Sequence, residues 1–236
     1  MDRVWPSSEH FQLGIGAEMG TLISRSRRSL IVAVALLFSV AVVAGIVDAY
    51  RNHVRVVAAI DALRAKGCKI AAPSLFGNSD PTILDAKKSQ IDDDDLVNVR
   101  TLNYLRFVNL CDTKISDDGL RRLKGHPTIE TLALNDTAIT DFGLINLRTL
   151  PNLKGLALCN TRITDRGLPA LAAIPKLQGI SLNGTQITDD GCLMIAGFPS
   201  IRSLMLWDTN VSSQVVLKLK KSGIHVSRHR TGYELN

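Results

Sequence analysis

The sequence predicts an α/β solenoid, with parallel strands inside and short helices outside, carried behind an N-terminal transmembrane helix. Three observations lead there. Thr113, Thr137, Thr161, Thr185 and Thr209 recur at a constant interval of 24 residues. Within each period a stretch such as Leu132-Ala133-Leu134 alternates apolar and small residues as a strand does. Residues 30–47 contain no charged side chain. A fixed period of a few tens of residues marks stacked coils, each too small to bury its own apolar side.

The phase is kept by more than the threonines. Ile115, Ile139, Ile163, Ile187 and Val211 stand two residues after them. Gly119, Gly143, Gly167 and Gly191 stand six after the first four, and Leu123, Leu147, Leu171, Ile195 and Leu219 ten after each. Pro127, Pro151, Pro175 and Pro199 hold one phase as well. In one coil, Ile129, Leu132 and Leu134 supply the strand. Thr137 and Ile139 form the corner, Asp141 caps a short helix through Leu144 and Leu147, and Pro151 ends it. By the same phase Asp117, Asp165 and Asp189 open the helices of their own coils, a structural task and not a catalytic one. Cys192 replaces a core leucine and is expected to be buried.

This pattern resembles the leucine-rich repeat family, and Ile129, Leu132, Leu134, Thr137, Ile139, Leu144 and Leu147 carry the resemblance in one coil. It looks most like the variants reading T-x-I-T-D-x-G-L-x-x-L-x-x-L-P. These occur in bacterial membrane-anchored repeat proteins and are related to the cysteine-containing type of F-box partners. The resemblance covers roughly residues 91 to 226, more than half of the chain. It departs from the family at Thr113, Thr137, Thr161, Thr185 and Thr209, where Asn or Cys is more usual. A hydroxyl both donates and accepts, so a threonine ladder is expected there.

Along the chain, residues 1–29 form a polar tail ending in Arg25, Arg27 and Arg28. Leu30 to Val47, 18 residues, is long enough for a slightly short membrane-spanning helix. Its length and the lack of a small-x-small site favour an uncleaved anchor over a signal peptide. The arginines before it favour a cytoplasmic N-terminus and an extracytoplasmic repeat domain. Residues 48–90 are a helical linker and N-terminal cap. Val56, Ile60 and Leu63 make a helical stripe there, Gly67 ends it, and residues 68–71 form a short strand. Pro73, Gly77, Asn78 and Pro81 mark a loop. Residues 91–217 are the repeats, starting with a degraded coil at Ile91, Leu96 and Val99. Residues 218–236 are a C-terminal cap and basic tail, in which Ile224 and Val226 form a closing strand two residues early.

Charge is uneven: +1 over 1–47, +3 over 48–90, −2 over 91–217 and +4 over 218–236. The repeats are thus not a basic surface, and no nucleic acid is expected along them. Cys111 and Cys159 lie two coils apart, about 10 Å at the usual strand spacing, too far for a disulfide. No nucleophile elbow, zincin motif or phosphate-binding loop is present, so no enzyme, cofactor or metal is expected. The run Asp92 to Asp95 and the pair His225 and His229 are the metal candidates that remain. What is left is surface. On the concave face a small, nearly uncharged floor lies between Phe107 with Asn109 at one end and Met205 with Trp207 at the other. Asn135 and Asn183 stand between them. Aromatic and methionine anchors on a neutral floor suit a protein partner. The expected function is a single-pass membrane-anchored, non-enzymatic protein-interaction module. The alternatives are an F-box-like substrate adaptor of a ubiquitin ligase and a metal-dependent enzyme.

Overall fold

The computed structural model describes residues 39–71 and 82–228. The chain divides into two compact units, Met1–Val54 and Arg55–Asn236. In the first, residues 39–54 are helical and exposed. Half of the predicted span, residues 30–38, lies outside the described residues, as do the polar tail, the loop with Pro73 to Pro81 and His229. Among the described residues no helix is long and apolar enough to cross a membrane.

The second unit is built on one sheet of eight strands in sequence order. They are β1 (Lys69–Ile70), β2 (Thr82–Asp85), β3 (Leu105–Asn109), β4 (Thr131–Ala133), β5 (Gly155–Ala157), β6 (Gly179–Ser181), β7 (Ser203–Met205) and β8 (His225–Ser227). All neighbours are parallel except β1, which runs antiparallel to β2. From β3 to β7 the register pairs each residue with the one 24 later, as in Leu132↔Leu156↔Ile180↔Leu204. This register is what stacks equal coils. β8 comes early, with Leu204 opposite Val226, as the closing pair predicted. The ladder also starts ahead of Ile91: Leu84 in β2 already faces Val108 in phase.

Each coil lays its apolar residues onto those of the next. Ile91, Ile115, Ile139, Ile163, Ile187 and Val211 form one buried column; Leu96, Leu120, Leu144, Leu168 and Cys192 form another. Burying one such side chain is worth roughly 1.5–3 kcal/mol, so stacking supplies what a single coil lacks. The N-terminal end is covered by the helical residues 55–65, through buried Ala59 and Leu63 with Val56 and Ile60 beside them. Gly67, at φ +91°, lets the chain turn from this helix into β1.

Two readings of the corner are corrected. The threonines do align, and Thr137, Thr161 and Thr185 are buried. Yet they form no ladder: each hydroxyl donates to the carbonyl three residues back, at 2.6 Å for Leu134, Leu158 and Leu182. The coils are instead joined by the aspartates. Asp141 accepts from Thr164 N at 2.9 Å and Thr164 Oγ1 at 2.6 Å, in the next coil. Asp117 does the same to Thr140, Asp165 to Thr188 and Asp93 to Ser116, while Asp189 accepts from Ser212 N. The helix caps are the hydroxyl residues Ser116, Thr164 and Ser212, so the aspartates do not cap their own helices. The reason is reach: an aspartate in the first helical turn points across to the neighbouring coil. The phased glycines make room for it. A Cβ on Gly167 would sit 2.4 Å from Asp141 Oδ1, and one on Gly143 2.2 Å from Asp117 Oδ1.

Candidate protein-binding face

The concave face is the side of the sheet turned away from the core. Alternation places three residues per coil there: 107, 131, 155, 179 and 203; then 109, 133, 157, 181 and 205; then 111, 135, 159, 183 and 207. The middle of this floor is made of Thr131, Gly155, Gly179, Ala133, Ala157 and Ser181, with no charge. Gly155 stands opposite Gly179 in the register. The backbone is therefore nearly bare at the centre.

Of the predicted contact residues, Met205 and Trp207 are 41% and 37% exposed, and Phe107 is half-buried. β8 pairs Ser227 with Met205, so Met205 is not in the final layer of the sheet; the position that would follow Trp207 in the same register, His229, lies outside the described residues. Asn109 is corrected: it is buried, donates from Nδ2 to Asp85 Oδ1 at 3.1 Å and accepts from Cys111 N at 3.2 Å. It holds the first coils together and offers no surface to a partner. Asn135 and Asn183 are half-buried and do structural work too. Their Oδ1 atoms accept from Cys159 N and Trp207 N of the following coils, both at 2.8 Å. Asn183 thereby fixes the backbone that presents Trp207.

The two borders of the floor carry charge. At the strand starts, Glu130 joins Arg106 at 2.5 Å and Lys154 at 2.8 Å. The hydrogen bonds from Lys154 and Arg106 hold the Glu130 carboxyl below its usual range. At the strand ends, Asp112, Asp136, Asn160 and Asp208 lie exposed in one column. This column has left-handed backbone throughout: φ is 54°, 57°, 55° and 54° at those residues and 65° at Gly184. Asp, Asn and Gly tolerate that conformation best, and their 24-residue recurrence is the signal that identifies the turn.

The carboxylates of the acidic run are otherwise engaged. Asp92 Oδ1 accepts from Asp94 N at 3.0 Å, and Asp93 bonds Ser116. Asp94 pairs with Arg122, and Asp95 with Lys66 at 2.9 Å. Among the described residues no three His, Cys, Asp or Glu side chains are grouped to hold a metal ion. The four cysteines are free. Burial pushes the Cys111 thiol up to about 11 and the Cys192 thiol up to about 12, which keeps both protonated. Cys192 is buried, as its phase predicted.

One polar core residue escapes a reading by pattern. His126 occupies the column of Leu102, Leu150, Ile174 and Phe198, is buried, and its Nε2 has no hydrogen-bond partner. Burial holds its pKa below the ordinary 6.5. A histidine breaking an apolar column is visible in the repeat alignment once that column is written out.

The register and the stacked columns define a leucine-rich-repeat fold. Comparison with family models and with curated proteins finds no match. Similar solved structures include an internalin from Listeria monocytogenes, 17% identical, with a TM-score of 0.42 over 63% of this chain and 48% of that one. A leucine-rich-repeat protein from Leptospira interrogans is 20% identical, with a TM-score of 0.41 over 56% of this chain and 33% of that one. This chain thus spans less than half the length of either.

Proposed function

We propose that this protein is a non-enzymatic, membrane-anchored interaction module that binds a protein partner on its concave face. Residues 30–47 would serve as a single anchor, with the N-terminus cytoplasmic and the repeats on the opposite side. The observation that carries the reading is the floor itself: small, uncharged and flat at the centre, with half-exposed Met205 and Trp207 side by side at one end. Aromatic anchors next to a flat neutral surface are where binding energy concentrates. Phe107 at the other end supplies a second anchor. The repeats carry no excess of positive charge, which favours protein over nucleic acid along this face.

Quantitative affinity capture from solubilised membranes, with full-length protein, tests it. Trp207→Ala is expected to weaken a specific captured protein by about 2 kcal/mol, roughly thirtyfold, the size of a binding hot spot. Phe107→Ala is expected to weaken it less. Equal recovery by both variants and wild type would remove the concave face from the proposal. Protease accessibility of the C-terminus in intact cells and spheroplasts tests the orientation. Digestion in spheroplasts without lysis is expected.

A further inference from the structure

On the opposite, convex side the helices expose apolar residues in line. Phe142 is 86% exposed, Ile145 52% and Leu217 60%; Leu193 and Met194 lie between them and are also exposed. Ile145, Leu193 and Leu217 share one phase, with exposed Pro169 completing the column in the coil between. The stripe therefore runs over four successive coils, on helices whose buried faces already fill the core.

The exposed charge beside it is mostly positive. Arg148, Arg162, Arg166, Lys218, Lys220 and Lys221 are exposed on these helices and their approaches. The matching carboxylates of Asp141, Asp165 and Asp189 are turned into the inter-coil ladder, which leaves Asp190 as the exposed acid of these helices. An apolar line with a cationic border is the chemistry that seats on an anionic bilayer: Phe and Leu enter the acyl boundary while Arg and Lys meet the headgroups.

We propose that the convex stripe from Phe142 to Leu217 is a peripheral contact for anionic phospholipid, separate from the segment at 30–47. The inference rests on the membrane reading above for its setting, but its own residues carry it. The contact would turn the concave floor away from the lipid and present it to a partner.

The test uses the full chain in nanodiscs holding a carbene-generating phospholipid, with label positions mapped by mass spectrometry. One set of discs contains phosphatidylcholine alone and the other includes phosphatidylglycerol. Label at residues 142–145 and 193–217 is expected to exceed label on the floor around residues 155–181, and to rise severalfold with phosphatidylglycerol. Phe142→Asp with Leu217→Asp, both surface changes, is expected to abolish it, and Arg148→Glu with Arg166→Glu to remove the dependence on phosphatidylglycerol. Stripe label no higher than floor label, label indifferent to phosphatidylglycerol, or label unchanged in the aspartate variant would each overturn the proposal. A protein cross-linked at Phe142 with no lipid label would do the same and assign the stripe to a protein partner. Label within residues 30–47 is read separately, so failure of the anchor and failure of the stripe are distinguished.

Discussion

Asp141→Ala removes one rung of the ladder that joins the coils. The carboxylate accepts two hydrogen bonds from Thr164, at 2.9 Å from N and 2.6 Å from Oγ1. A hydrogen bond to a charged group contributes about 1.5–3 kcal/mol when buried, and less where water reaches it. Asp141 and Thr164 are half-buried, so a total near 2–3 kcal/mol is expected. Stability in a solenoid is largely a sum of interfaces between neighbours, so the loss falls on one interface. Gly167→Ala attacks the same interface from the other side, since its Cβ would sit 2.4 Å from Asp141 Oδ1 and 2.8 Å from Leu144 Cδ1. With the carboxylate gone, part of that clash disappears. The double variant should therefore lose about 1 kcal/mol less than the sum of the two single changes. Urea unfolding of the full chain in detergent, followed by circular dichroism, measures all three against Asp190→Ala, a surface change expected within about 0.5 kcal/mol of wild type. If Asp141→Ala is no more destabilising than Asp190→Ala, or if the double variant is strictly additive, the aspartate ladder is not what binds the coils.

Other outcomes follow from single environments. His126 is held neutral by burial, so the unfolded chain binds its proton first as pH falls. Stability is expected to be unaffected by this group above its ordinary 6.5 and to decline as pH falls below that value toward the lowered folded pKa. His126→Leu should flatten that part of the stability profile measured between pH 7 and 5, and an unchanged slope would exclude His126 as its source. Cys111 and Cys192, with thiols raised to about 11 and about 12, should alkylate with iodoacetamide at pH 8 only on unfolding, whereas half-buried Cys159 should react in the folded protein. Peptide mapping of the adducts decides this. At the left-handed corner, Asp112→Val should cost about 1–2 kcal/mol while Asp112→Gly stays close to neutral, because a Cβ crowds the following carbonyl there, a branched one most, and glycine has none. Equal melting temperatures for the two would refute the assignment.

Much of this protein was legible in the repeat itself. Coils of equal length in a parallel stack must pair each residue with the one 24 later, so the period fixed the register of β3 to β7 and the composition of each core column. The same reasoning placed Cys192 inside and made the last strand early. Direction of side chains across coils was not legible. Asp165 and Gly167 read as neighbours in a local motif, yet Gly167 makes room for Asp141 of the preceding coil, and Asp165 reaches forward to Thr188. Asn109 looked like floor and is buried because Asp85, brought alongside by β2, binds its amide. The convex line of Phe142, Ile145 and Leu217 was hidden because repeat phase identifies which residues share a column, not which columns remain uncovered. Spacing is a property of one chain and can be counted. Cover and hydrogen-bond choice belong to pairs of coils in contact, and only the stacked structure decides them.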